Sequence, residues 1–335
     1  MLTFHIIYTP HTVALLSRFL PTLLNASDCL FRLIANGCTD QEITHLRHLC
    51  QNNDRLEFLA LPTARPLWHG PALNYLQALN NTEYFCFMDS DIFATGPFLP
   101  TLTAELARAD ACFSCAPIGC TDNDVILTDD DPIVQGILNR TNAGLCLGGT
   151  YLAIYAQQTL RHFIRTTGIG FEPRYWAEIP AAYQEVLLGL GLQRAWYDTG
   201  KILNLLLQQQ GQRLTWCEIP ALCHLGGISL NDWYPQKRPT TIIKASLRRA
   251  IRYLLGTGDR QQEYLQTIWQ GTGPDRLAQI RRRELEYARY FHAVLTALDR
   301  GHPLPALPLV NDAPVQQRLS LVTQELKTIG AQGAG

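Results

Sequence analysis

Asp89-Ser90-Asp91 sets two carboxylates on either side of a serine, at the end of the run Tyr84 to Met88. That run is aromatic, β-prone and apolar, so it reads as a buried strand. A buried strand ending in acids has to deliver them to water, to a metal or to a reacting centre. An unpaired buried carboxylate is too costly to leave alone. Other residues compete for attention. Asp129-Asp130-Asp131-Pro132 is an acidic cluster whose composition suits the start of a helix, with a second metal site as the alternative. Cys112-x-x-Cys115, with Cys120 following, lacks the second pair or the nearby histidines of a zinc site, so these thiols read as strand packing. Asp198 stands where a helix begins and can act as its cap.

The elements around these residues alternate. Leu2 to Tyr8, Cys29 to Ala35, Leu56 to Leu61 and Tyr84 to Met88 read as strands. Between them, Val13 to Leu24, Thr39 to about Cys50 and Gly70 to Leu79 have helical spacing, and Thr39 with Glu42 makes a capping-box pattern. Such alternation predicts an α/β fold with a mostly parallel sheet, which binds ligands outside the carboxyl ends of its strands. Thr9-Pro10-His11, Asn36-Gly37, His69-Gly70 and Asp89-Ser90-Asp91 are then brought to one edge.

Further on, Pro97 to Arg108 is a predicted helix and Ala111 to Pro117 a strand, and a helix is expected after Pro132. Gly148-Gly149-Thr150 leads into a strand over Tyr151 to Tyr155, where the glycines permit close backbone approach to a ligand or a tight turn. Glu178 to Leu190 and Lys201 to Gln209 are expected helices, Leu214 to Ile219 a strand, and Cys223 to Ser229 a loop. Composition shifts near Asn231 toward a basic, helical region. We therefore expect a first domain over 1–232 and a helical region over 233–335. The latter holds a helix from about Pro274 to Leu298, a proline-rich linker from Gly301 to Pro308, a short helix and a disordered Gly/Ala tail.

The chain has 335 residues, 47% hydrophobic and 17% charged, which is a globular composition. A net charge of −1 offers no electrostatic case for nucleic acid. The start lacks a signal-peptide pattern, and no stretch approaches the ~18 apolar residues of a membrane span. A cytoplasmic protein with reduced thiols is expected.

Four segments, in order, resemble the GT-A nucleotide-sugar glycosyltransferases, closest in pattern to the family-2 group, over roughly Leu2 to Ser229. They are Ile34-Ala35-Asn36-Gly37-Cys38-Thr39-Asp40, Trp68-His69-Gly70-Pro71-Ala72-Leu73-Asn74, Asp89-Ser90-Asp91, and Tyr197-Asp198-Thr199-Gly200-Lys201-Ile202 running on to Gly211. Ala35 stands where that family often has an acid, and Tyr197 replaces a glutamate. The Q-x-x-R-W motif of processive synthases is absent, which implies single additions.

The resemblance implies a GT-A fold and transfer of a sugar from a nucleotide-diphosphate donor to an acceptor hydroxyl, with inversion. Asp91 is then a direct ligand of Mn²⁺ or Mg²⁺, Asp89 contacts the metal or the ribose, and His224 is a third ligand. Asp198 becomes the general base, with Glu178 in reserve. Thr9, Pro10, Asn36, His69, Gly70, Asn74, Ser90 and Gly149 line the nucleotide site, with His11 as a weaker candidate. Trp233 and Tyr234 are candidates to stack on a sugar. The acceptor is a glycan, a lipid-linked sugar or a small molecule. The basic amphipathic stretch 241–255 is a candidate for peripheral contact with an anionic membrane.

Other readings stay open. A haloacid-dehalogenase-type phosphatase also ends a strand in Asp-x-Asp, but Phe93 stands where it wants Thr or Val. A nucleotidyltransferase would want a Gly- and Arg/Lys-rich loop where Thr9-Pro10-His11-Thr12 stands. A catalytically inactive GT-A-like binding protein would keep the fold without the reaction.

Overall fold

Side chains along the central strands alternate between two apolar clusters. In β1 (Thr3–Tyr8), Phe4, Ile6 and Tyr8 join one cluster. In β4 (Tyr84–Asp89), Cys86 and Met88 join that same cluster, while Phe85 and Phe87 join the other. Both faces of the sheet are covered, which is why these strands read as continuous apolar runs. Each fully buried Phe contributes about 1.5–3 kcal/mol relative to exposure. The structure, a computed structural model, describes residues 1–192, 194–228 and 260–332. The composition shift near Asn231, Trp233, Tyr234, the basic stretch 241–255 and the last residues of the Gly/Ala tail lie outside these.

β2 (Leu30–Ala35) and β3 (Leu56–Ala60) extend the sheet on one side of β1, and β4 lies on the other side. Beyond β4 come β10 (Leu152–Ala156), β6 (Ala111–Ser114) and β13 (Leu214–Trp216). The seven strands run in the order β13-β6-β10-β4-β1-β2-β3. All are parallel except β10, which runs against both of its neighbours. The mixed α/β architecture with a mostly parallel sheet is therefore as expected.

Chain order reverses between β1 and β4, and the crevice outside such a reversal is where open α/β sheets bind ligands. The remaining strands are short: β5 (Ile92–Ala94), β7 (Ile126–Leu127), β8 (Ile133–Val134), β9 (Arg140–Thr141), β11 (Arg174–Tyr175), β12 (Trp196–Tyr197) and β14 (Leu222–His224).

Helices cover both faces. The predicted helix over Val13 to Leu24 is broken into α1 (Val13–Leu16), a 3₁₀ turn and α2 (Leu20–Ala26). α3 (Asp40–Gln51) opens with the expected capping box: Glu42 N–H donates to Thr39 Oγ1 at 3.4 Å, and Thr39 N–H donates to Glu42 Oε2 at 3.0 Å. α4 (His69–Leu79), α5 (Leu99–Leu106), α6 (Gln157–Thr167), α7 (Ala181–Gly189) and α8 (Lys201–Gln209) follow. The C-terminal part is helical: α9 (Arg260–Trp269), α10 (Arg276–Arg300) and α11 (Ala313–Gln332). α11 has 20 residues, so the expected short helix is long; Leu319, Val322 and Leu326 bury its inner face.

No helix follows the acidic cluster. Asp131 instead closes a turn by accepting from Thr128 N–H and Oγ1, both at 2.9 Å, and pairs with Arg276 at 2.6 Å. Asp124 does the same with Thr121 and receives Arg283. Two Thr-x-x-Asp turns seven residues apart thus meet two arginines seven residues apart, on one face of α10. These acids hold a helix in place rather than starting one or forming a second metal site.

Candidate functional site

The acidic end of β4 reaches His224 through a strand pairing that sequence reading did not foresee. β14 pairs antiparallel with β5, placing His224 opposite Ile92. His224 was expected in a loop; it is the last residue of a strand. Leu225 N–H donates to the Asp91 carbonyl at 3.1 Å, and Ile228 N–H donates to Asp91 Oδ2 at 3.2 Å. His224 Nδ1–H donates to the Cys115 carbonyl at 2.8 Å. That bond fixes the ring and turns Nε2 toward the acids. Nε2 lies 3.3 Å from Asp91 Oδ1 and 3.6 Å from Asp89 Oδ2. Cys115 pays for this with φ +68°, a conformation rare outside glycine.

Asp91 and His224 side chains are nearly inaccessible, at 6% and 1%, whereas Asp89 keeps 31% of its surface and faces outward. Burial pushes the Asp89 carboxyl up to about 8, aided by Asp91 and opposed by His224. Burial works against ionised Asp91 too, but His224 and the Ile228 N–H outweigh it and hold its carboxyl below the usual range. Burial would lower His224, yet Asp91 and then Asp89 raise it to about 9.

One ligand atom from each of Asp89, Asp91 and His224 falls within 4.8 Å of the others. His224 Nε2 is buried and makes no hydrogen bond. Two carboxylates and an imidazole whose Nε2 would give up its proton on binding fit a divalent ion such as Mn²⁺ or Mg²⁺.

Tyr151, not singled out from the sequence, links this cluster to Asp198. Its ring packs on His224 with centroids 4.8 Å apart, and its carbonyl accepts from Asp89 N–H at 2.7 Å. A Cβ added at Gly136 would lie 3.6 Å from the Tyr151 hydroxyl and 3.2 Å from Asp198 Oδ2, so both groups face this glycine. Asp198 does not cap α8, whose first turn follows Gly200. Its oxygens accept from Gly136 N–H at 2.8 Å and Thr199 N–H at 2.7 Å. Burial nevertheless holds its carboxyl above the usual range, against those two donors and Lys201.

Lys201 was also missed. Its ammonium, completely buried, donates to the carbonyls of Gly136 at 2.8 Å, Leu138 at 2.7 Å and Gly148. The available signal was a lysine heading the run Ile202 to Leu207, apolar except for Asn204.

The other expected residues divide. Thr9 directly follows β1, beside the strand carrying Asp89, and its buried hydroxyl makes no hydrogen bond; Pro10 is half-buried next to it. Ser90 is buried in the turn between Asp89 and Asp91. The Asn36 amide is taken up by the backbone of Leu67, donating at 2.9 Å and accepting at 2.8 Å. Asn74 Oδ1 accepts from Phe171 N–H at 2.9 Å, and a Cβ on Gly70 would lie 2.7 Å from the Phe171 carbonyl. Gly70 and Asn74 thus seat the segment around Phe171.

His69 lies edge-on to Phe87 at 6.1 Å, and burial lowers it to about 4. His11 is exposed at φ +68°. Gly149 lets Tyr151 close in, since a Cβ there would lie 2.8 Å from that ring. Glu178 is engaged in a capping box, accepting from Tyr175 N–H at 2.8 Å.

No protein-family model matches the sequence, and no curated protein matches it. Solved structures do show likeness. One is the galactosyltransferase LgtC in complex with donor and acceptor sugar analogues, at 10% identity and TM-score 0.39, covering 64% of this chain and 73% of that one. Another is S. aureus TarS 1–349, at 13% identity and TM-score 0.41, covering 93% and 95%. A third is a putative glucose-1-phosphate thymidylyltransferase from Bacillus anthracis in complex with sucrose, at 9% identity and TM-score 0.38, covering 65% and 87%. The chemistry of the site rests on its own side chains.

Proposed function

We propose that the chain is a metal-dependent glycosyltransferase of the GT-A type. It moves a sugar from a nucleotide-diphosphate donor to an acceptor hydroxyl, inverting and one sugar at a time. The observation that carries this reading is the cluster of Asp89, Asp91 and His224 at the switch point of the sheet. Asp89, Asp91 and His224 would hold Mn²⁺ or Mg²⁺, which when bound supplies positive charge against the leaving diphosphate. Asp91 and His224, nearly inaccessible, set the geometry, and the more open Asp89 faces the donor. Thr9 and Ser90 offer hydroxyls beside the donor, and His69, neutral at physiological pH, lies behind it.

Asp198 takes the acceptor proton in this reading. Its raised carboxyl makes it a stronger base than an exposed aspartate, and each oxygen keeps a lone pair beside its backbone hydrogen bond. Residues 1–232 form the catalytic domain and 233–335 a helical region, and the described part of that region packs α10 and α11 on the sheet. The acceptor is a glycan, a lipid-linked sugar or a small molecule. No helix among the described residues is long and apolar enough to cross a membrane.

Calorimetry with nucleoside diphosphates and Mn²⁺ is the direct test. Binding that needs the metal is expected, and equal affinity in the presence of chelator would sink the reading. A second reading, an inactive nucleotide-sugar-binding protein, draws on the two backbone donors that occupy Asp198. Metal-dependent binding without turnover of any nucleotide sugar would favour it.

A further inference from the structure

All ten cysteines are free thiols, and two meet across the edge of the sheet. Cys112 lies on β6, and Cys217 directly follows β13, the edge strand paired with it. The ladder continues through Cys217, whose N–H donates to the Phe113 carbonyl at 3.0 Å. The two Sγ atoms are 3.5 Å apart. Cys112 is completely buried, while Cys217 is half-buried and reachable from solvent. The sequence-adjacent pair does not meet in this way, because Cys115 turns toward His224. We propose that Cys112 and Cys217 form a redox-modification site, which a low-molecular-weight disulfide such as oxidised glutathione converts into an internal disulfide bond.

The exposures assign the order of events. Cys217 attacks one sulfur of the small disulfide, forming a mixed disulfide and releasing one small thiolate. Cys112 then gives up its proton and attacks the Cys217 sulfur, releasing the second small thiolate. Two protein thiols are oxidised, one small disulfide is reduced to two thiols, and the protons go to the released thiolates. The electrostatics agree with this order. Cys217 is lowered, chiefly by the hydrogen bond from Cys112 and then by Arg108, with burial and Glu105 opposing. Every other cysteine thiol is raised. Closure ties the edge strand to its neighbour and links positions 105 residues apart in sequence.

The test treats native protein with oxidised glutathione, alkylates it under denaturing conditions and maps the peptides by mass spectrometry. Wild type should lose two of its ten thiols, gain no glutathione, and yield one peptide pair joined through Cys112 and Cys217. Cys112→Ser should trap one glutathione on Cys217, and Cys217→Ser should not react. A wild type that keeps all its thiols overturns the proposal. So does one that stops at a glutathione adduct, or that joins other cysteines. Equal thiol loss in Cys217→Ser does the same. If Cys112→Ser fails to fold, the wild-type peptide map together with Cys217→Ser decides the matter, since that half-buried site tolerates serine.

Discussion

Asp198 and Lys201 hold Gly136 from opposite sides: Asp198 accepts its N–H and Lys201 donates to its carbonyl, each at 2.8 Å. The two side chains flank Gly200, whose φ of +75° turns the chain into α8. The candidate base is therefore fastened to a loop that the neighbouring lysine also anchors. Replacing Lys201 with methionine removes the donor from three carbonyls and should lower stability by about 1–3 kcal/mol. The urea midpoint would report this; a shift below about 1 kcal/mol would mean that other donors replace the ammonium.

Asp198→Asn should reduce transfer by about 10²–10⁴-fold, as loss of a general base does. Metal-dependent binding of a nucleoside diphosphate should survive, because the metal cluster is separate. The amide has only one oxygen for the two backbone donors, Gly136 and Thr199, so a small loss of stability should accompany it. Unchanged turnover would remove Asp198 as the base.

His224→Ala removes the nitrogen that lies 3.3 Å from Asp91. In wild type, Mn²⁺ at a hundred times its dissociation constant should stabilise the fold by about 2.7 kcal/mol. Thermal melts with and without Mn²⁺ should show that gain largely lost in His224→Ala and in Asp89→Asn. An undiminished gain in both variants would place the ion elsewhere.

Acid sensitivity should arise in part from His5, two register positions from Asp89 on the neighbouring strand, alongside His69, which burial lowers alike. His5 Nδ1–H donates to the Cys86 carbonyl at 2.8 Å, and its Nε2 accepts from Arg32 at 3.3 Å. Burial lowers it to about 4 from 6.5, with Arg32 assisting and the Cys86 hydrogen bond and Glu57 opposing. The unfolded chain binds the extra proton between those values, so stability is complete above about 6.5 and falls as pH drops toward 4. The loss should be about 3 kcal/mol. Urea melts across that range should show a shallower slope for His5→Gln; equal slopes would assign the acid limb to other groups.

The two Thr-x-x-Asp turns lend themselves to a double-mutant cycle. Arg276→Ala and Arg283→Ala should each destabilise by about 1–3 kcal/mol, since each removes the cation from a largely buried carboxylate that keeps its threonine hydrogen bonds. Because each arginine has its own turn, the double variant should be additive within about 0.5 kcal/mol. A larger coupling would mean that the turns act as one unit.

The first four strands could be read locally, because each is an apolar run bounded by turn residues and covered on both faces. The capping box at Thr39 was equally plain. What escaped depends on distant partners. β5 and β14 are three residues each and gain their identity only by pairing with one another. The Asp129 to Asp131 cluster looked like a helix start because its true partner, Arg276, is 145 residues away. Asp89, Asp91 and His224 were chosen from the sequence and do meet. Tyr151, which lies between that cluster and Gly136, carried no motif, and its role comes from where β10 begins against the end of β4.

The apolar cluster on one face of the sheet takes Phe4 and Ile6 from β1 and Val322 and Leu326 from α11. Arg18 reaches across to Asp299, a separation of 281 residues. During synthesis α1, α2, α3 and α5 cover only part of that face, and the remainder stays exposed until α10 and α11 emerge. Folding of this half cannot finish vectorially, and the exposed face is a natural client for a chaperone in that interval.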